Sequence, residues 1–239
     1  MRGRVGFRST PRGGFGNRVL SYLSVRHLAH RIGASYFFSD RADRKFVSGI
    51  HKPLLFPKIF VRGEIVRARD FERNGFLDEL RDLVAHGYTT SIKGALLGEA
   101  LARLASHDSR SFASLTVSQC VEHRTKLGSK KLVAAHLRAG DFREWEPEAI
   151  LPASYYMAAI ESVRGLNSDQ WHVRLCVDDY SHPAYEQLSK FLIGKGFSLD
   201  PEPCSRPFEC DLAAMAQAEF LISSPSSFAL VAGLLGVPR

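Results

Sequence analysis

Ten residues constrain this chain more than any others: Leu132-Val133-Ala134-Ala135-His136-Leu137-Arg138-Ala139-Gly140-Asp141. The run is apolar over the length of a strand buried on both faces, then breaks abruptly into His, Arg, Gly and Asp. Such a run belongs in a parallel sheet packed between helices, where polar groups gathered at the strand carboxyl ends meet a ligand. Arg138 is the foremost candidate, because a planar fork of donors that never loses its charge matches a phosphate or diphosphate. Gly140 admits close backbone approach to a ligand or a positive φ. An ordinary surface ion pair between Arg138 and Asp141, beside a turn, accounts for the same residues equally well.

The flanking sequence alternates strand and helix. Arg4 to Arg8 predicts a strand, and Ser9-Thr10-Pro11-Arg12-Gly13-Gly14 a loop. Asn17 to Arg31 predicts an amphipathic helix with Tyr22, Val25, Ala29 and Ile32 on one face and Gly33 as its stop; Ala34 to Phe38 is the next strand. This is a Rossmann-like βαβ unit, although Gly14-Phe15-Gly16-Asn17-Arg18-Val19 lacks the third glycine of the dinucleotide fingerprint. The loop from Ser39 to Lys58, with Arg41, Arg44, Lys45 and His51, is a solvated connection or part of an acceptor cleft. Amphipathic segments from Ile92 to Ala105 and Phe112 to Leu127 have helix length, and Gly128-Ser129-Lys130-Lys131 reads as a boundary. Beyond it come a strand (Leu132 to Leu137), a helix opened by Pro152, a strand (His172 to Val177) and a helix from His182 stopped at Gly194. A return toward the sheet at Gly196-Phe197-Ser198 precedes a helix from Asp211 to Ala218, a short strand from Phe220 to Ser223 and a serine-capped helix from Ser226 to Leu235. The expected organisation is therefore two α/β domains, 1–127 and 128–239.

With 239 residues there is enough chain for one large or two small cores, and 45% hydrophobic with 24% charged residues is ordinary for a globular protein. The net charge of +7 points to anionic partners, a class that includes nucleotide sugars, nucleic acid and acidic membrane surfaces. Its basic residues are scattered and no nucleic-acid motif appears, so nucleic acid is not the expected partner. No apolar run is long enough to span a bilayer, and Val5-Gly6-Phe7 is not the long apolar stretch of a signal peptide. Cys120, Cys176, Cys204 and Cys210 lack Cys-x-x-Cys spacing and are too sparse for a disulfide framework. The expectation is a cytoplasmic protein of bacterial type, with peripheral membrane association left open. Asp178 and Asp179 are adjacent on a strand and so point to opposite faces, and His27 with His30 supply only two ligands; no metal site is expected.

Three segments, in order, resemble motifs of the fucosyltransferase superfamily that includes α-1,2-, α-1,6- and protein O-fucosyltransferases. His136-Leu137-Arg138-Ala139-Gly140-Asp141 resembles its H-x-R-x-G-D motif, and Arg12-Gly13-Gly14-Phe15-Gly16-Asn17 its N-terminal G-x-F/L-G-N segment. Asp211-Leu212-Ala213-Ala214-Met215, followed by Ile222-Ser223-Ser224-Pro225-Ser226-Ser227-Phe228, is similar to its C-terminal segment, with Val177-Asp178-Asp179 lying before it. Residues 40–127 are unmatched. The resemblance implies an α/β, GT-B-like fold of two Rossmann-like domains with a ligand cleft between them, the first on the acceptor side and the second binding the donor. It implies an inverting, metal-independent transfer of fucose from GDP-fucose to a hydroxyl of a glycan or related acceptor, with no cofactor. Another nucleotide sugar on the same scaffold, or a nucleotide- or glycan-binding homologue without catalysis, are the alternatives.

By that resemblance Arg138 is catalytic, and Gly14, Phe15, Gly16, Asn17, His136, Gly140, Asp141, Asp178, Asp211, Ser226, Ser227 and Phe228 bind the donor. Serines 226 and 227 begin a helix, whose free N–H groups suit a phosphate, and plain N-capping explains a serine there as well. Asp211 or Asp178 can accept from the N1–H and N2–H edge of guanine. His136 is a nucleoside contact or a satisfied structural side chain, and Asn17 a cleft residue or a helix cap. For the acceptor proton, Asp141, Glu144, Glu146 and Glu148 are at hand; a solvated acidic loop beside a dissociative step assisted by Arg138 is equally compatible. Two departures stand out: Ala139 replaces the second arginine of many relatives, and the chain stops at Gly236-Val237-Pro238-Arg239, sooner after the last helix than relatives do.

Overall fold

The computed structural model describes residues 4–7, 16–17, 20, 31–38, 65–67, 75–86, 89–93, 129–199 and 208–236. The chain divides into two compact units, Met1–Asp108 and Ser109–Arg239. The expected domain boundary at 127/128, the loop 39–58, the helix 112–127, Gly14, Phe15, Cys120 and Cys204 all lie outside the described residues.

In the first unit, strands β1 (Arg4–Phe7), β2 (Ser35–Phe38), β3 (Ile65–Arg67) and β4 (Thr89–Lys93) form a parallel sheet in the order β2-β1-β4-β3. Between β1 and β2, residues Gly16, Asn17, Leu20, Arg31 and Ile32 are helical, with Leu20 and Ile32 buried. Gly33 follows at φ +67°, the left-handed turn that stops a helix and that only glycine adopts without strain. Helix α1 (Phe76–Ala85) carries Asp78 and Glu79 in its first turn, where the helix dipole favours negative charge, and buries Leu80. One expectation is corrected here: Ile92 and Lys93 end β4 and do not begin a helix. Thr89-Thr90-Ser91-Ile92 is rich in β-branched residues, which fit a pleated surface better than a helical turn.

The second unit is built on β5 (Lys131–Leu137), β6 (Trp171–Val177) and β7 (Phe220–Ile222), all parallel, in the order β6-β5-β7. Its helices are α2 (Phe142–Trp145), α3 (Ala153–Glu161), α4 (Pro183–Gly194), α5 (Phe208–Gln217) and α6 (Ser227–Leu235). The two-residue alternation of a strand sorts the side chains. Val133, Ala135 and Leu137 of β5, with Val173, Leu175 and Val177 of β6, form one core with Ala153, Tyr156 and Ile160 of α3 and Ala184, Leu188 and Leu192 of α4. The opposite face carries Ala134, His136, Arg174 and Cys176, all buried, with α5 packed against β5 and β6 and α6 against α5. Cover on both faces is what the apolar run demands, and each Val or Leu so buried contributes about 1.5–3 kcal/mol.

Because the strands are parallel, Leu137, Val177 and Ile222 end at one edge of the sheet. From β5 the chain steps to β6 on one side and then to β7 on the other, and the crevice at such a reversal is where open α/β sheets bind ligands. Glu144 to Glu148, expected as a solvated acidic loop, are solvent-facing but fall within α2 and a 3-10 turn (Pro147–Ala149). Buried Phe142 anchors them, and the Arg143 N–H donates to the Ala139 carbonyl at 3.2 Å. Phe197 returns to the core without forming a strand. Among the described residues no helix is long and apolar enough to cross a membrane.

Candidate functional site

Arg138 is the first residue beyond β5, and Asp178 the first beyond β6. Since the register pairs Leu137 with Val177, the two side chains emerge together. Arg138 Nη1 lies 2.9 Å from Asp178 Oδ2, and Nη2 lies 2.6 Å from Asp141 Oδ1. The guanidinium carbon sits 5.5 Å from the Phe142 ring centroid. The side chain remains 26% exposed, so the fork is held without being sealed off. Asp178 Oδ1 accepts the N–H groups of Ala139 at 2.8 Å and Gly140 at 3.0 Å. A Cβ on Gly140 would come within 3.1 Å of Asp178 Oδ2, so the close approach that Gly140 permits is to this carboxylate. The Arg138–Asp141 ion pair is present as well. Asp141 stands at the N-cap position of α2 but its side chain makes no capping hydrogen bond.

Beside this cluster, on the face covered by α5 and α6, His136 is only 3% exposed. Its Nδ1 lies 2.7 Å from Ser224 Oγ, and its ring centroid 5.7 Å from that of Phe228. Burial pushes the His136 pKa down to about 4; Arg138 adds to the effect and Asp178 opposes it. The imidazole is therefore neutral at pH 7, as a donor and acceptor of hydrogen bonds. The Tyr156 hydroxyl is pushed up, first by burial and then by Tyr155 and Asp178; nearby Ser224 opposes this without closing a well-formed hydrogen bond. Ser224 was not among the expected site residues, though it lies in the same serine-rich string.

Ser226 caps α6, its Oγ accepting the Phe228 N–H at 3.2 Å, and Ser227 is the first helical residue. The Phe228 ring stands between His136 and Phe208, whose centroid is 6.2 Å away. Asp211, at the fourth position of α5, is bound from behind: its Oδ1 accepts from Arg174 Nη2 at 2.8 Å, and Arg174 is 0% exposed. Arg174 was also missed, although an arginine inside Trp171-His172-Val173-Arg174-Leu175-Cys176-Val177 must find a partner when the strand is buried.

Asp179 is claimed separately. Arg143 Nε lies 3.0 Å from its Oδ2, and the Ser181 hydroxyl and N–H both donate to its Oδ1, the hydroxyl bond chiefly holding its pKa below the usual range. Among the described residues no group of three His, Cys, Asp or Glu side chains is placed to hold a metal. Gly16, buried, and Asn17, exposed, are both helical in the first unit, so Asn17 sits inside the helical segment and not at its cap. The structure thus brings together Arg138, Gly140, Asp141 and Asp178 in one cluster, and His136 and Phe228 in a second.

No family model and no curated protein sequence matches the chain. Two parallel sheets, each with helices between its strands, and a polar strand-end cluster on the second, define an α/β protein of the GT-B-like class. Solved structures make the class more particular. A mutant of Arabidopsis thaliana FUT1 in complex with GDP aligns over 98% of this chain and 68% of its own, at TM-score 0.60 and 15% identity. POFUT1 in complex with GDP-fucose aligns over 98% of this chain and 94% of its own, at TM-score 0.62 and 12% identity. NodZ α-1,6-fucosyltransferase co-crystallised with GDP, an enzyme also solved from Bradyrhizobium, aligns over 98% and 92%, at TM-score 0.58 and 18% identity. The chain has a fucosyltransferase-like fold.

Proposed function

We propose that this chain is an inverting, metal-independent glycosyltransferase that moves fucose from GDP-fucose to a hydroxyl of a glycan or related acceptor. The observation that carries the reading is Arg138, aimed by Asp178 at the carboxyl edge of a parallel sheet and still partly exposed. The structural neighbours, solved with GDP or GDP-fucose, support the choice of donor.

In this reading the diphosphate takes two parallel N–H bonds from Arg138, whose charge stabilises the β-phosphate as the glycosidic bond breaks. The N-terminus of α6, with Ser226 and Ser227, adds backbone N–H groups. Neutral His136 and the Phe228 ring face the nucleoside. With Asp178 occupied by Arg138, guanine falls to Asp211, whose Oδ1 is steadied by Arg174 while Oδ2 accepts from the base. The donor set supports the metal-independent reading. Asp178 and Asp179 are each paired with an arginine, and Arg138 supplies the positive charge that a divalent ion would otherwise bring. By the motif resemblance Gly14, Phe15, Gly16 and Asn17 are also donor-binding residues, with 1–127 the acceptor-side domain and 128–239 the donor-binding domain.

Calorimetric titration with GDP, ADP and UDP, followed by a GDP-release assay with GDP-fucose, tests this. GDP should bind best, and Arg138→Ala should lower kcat/KM by roughly a hundredfold, the loss typical of one transition-state donor. Preference for ADP or UDP would reassign the donor; GDP binding without turnover would leave a binding protein.

A further inference from the structure

Arg138 holds two carboxylates, and the structure treats them differently. Asp178 is built in: one oxygen takes two backbone N–H groups, the other takes Nη1, and a Cβ in place of the Gly140 hydrogen would crowd it at 3.1 Å. Removing Asp178 from this position would strand two backbone donors, a heavy cost. Asp141 is 54% exposed, caps nothing and reaches Nη2 from the loop edge. An exposed ion pair of this kind is cheap to break. With both carboxylates in place the three side chains sum to a charge of −1, the wrong sign for a diphosphate site.

We infer that Asp141 is an internal stand-in for the diphosphate: it holds Nη2 until the anion arrives and displaces it, while Asp178 remains as the residue that positions the guanidinium. The inference rests on the reading of Arg138 as the diphosphate ligand, and it changes the role of Asp141 from a donor contact to a competitor of the donor. Exchange at Nη2 also explains how an arginine already paired twice can serve as an anion site without unfolding its surroundings. Release of Asp141 frees a carboxylate next to the reacting centre at the moment the donor is seated.

The test exploits a difference in sign. Asp141→Asn and Asp178→Asn remove the same charge from the same guanidinium, so long-range electrostatics alone would tighten anion binding in both. Here GDP and inorganic pyrophosphate should bind Asp141→Asn about two- to tenfold more tightly than wild type, as expected from losing a competing exposed ion pair and its repulsion. Asp178→Asn should bind them at least tenfold more weakly, with thermal melts showing both variants folded. In an Arg138→Ala background the gain from Asp141→Asn should vanish. Weaker or unchanged binding by Asp141→Asn, tightening by both variants, or a gain that survives loss of Arg138 overturns the inference while leaving the donor reading intact. Failure of the wild type to bind GDP, or equal binding by Arg138→Ala, overturns both.

Discussion

His136 offers a prediction whose size can be worked out beforehand. Buried at the end of β5 against Ser224 and Phe228, it has a pKa lowered from the ordinary 6.5 to about 4, chiefly by burial. As pH falls below 6.5 the unfolded chain takes up a proton that the folded chain refuses until about pH 4. Between those values the unfolded state binds more protons, so stability drops as pH drops; above 6.5 the residue contributes no pH dependence. At ~1.4 kcal/mol per pH unit across that window, the loss is about 3 kcal/mol by pH 4. The perturbation is His136→Gln, whose amide can still hydrogen-bond Ser224 but does not titrate. Urea denaturation of both proteins at pH 7.5, 5.5 and 4 isolates the residue, since every other titrating group cancels in the difference. Wild type should lose about 3 kcal/mol more than the variant across the range. Curves parallel to within about 0.5 kcal/mol would refute the account of His136 as a neutral, desolvated imidazole.

Two further expectations concern single contacts. Asp211→Ala removes a carboxylate partner from the fully buried Arg174 and should destabilise by about 3 kcal/mol, whereas Arg174→Met combined with Asp211→Leu should recover most of that loss in the same urea assay. Gly140→Ala places a Cβ 3.1 Å from Asp178 Oδ2, and by crowding that carboxylate against Arg138 it should weaken GDP binding severalfold in a calorimetric titration and lower the melting temperature.

The central strand was readable because burial on both faces keeps Leu132 to Ala135 apolar without interruption. Leu132 to Leu137 announces both the strand and its exit point. The helix stop at Gly33 was readable for an equally local reason, a left-handed turn immediately after a periodic run. What escaped depends on tertiary neighbours. His136 meets Ser224 across 88 positions, and Arg174 meets Asp211 across 37, so neither pairing has a local signal. Asp178 showed the right chemistry for a base contact, but its commitment to Arg138 follows only from the register of β5 beside β6. β3, three residues long, is too short for any alternation to register. The stretch from Glu144 to Glu148 is solvated as its charges suggest, but its helical turns escaped notice because they depend on a single anchor, the buried Phe142.

Ala139 has no exposed surface at all and belongs with the core packed under α3 and α4, while its N–H is donated to Asp178. At this position, by the motif resemblance, many relatives carry a second arginine. Here the backbone has sunk the residue into the interior, and a long cationic side chain could enter only after the surrounding apolar walls had been rebuilt. This packing thus holds the strand end to a single guanidinium. Installing the paired form here would take several coordinated changes in the core around Ala139.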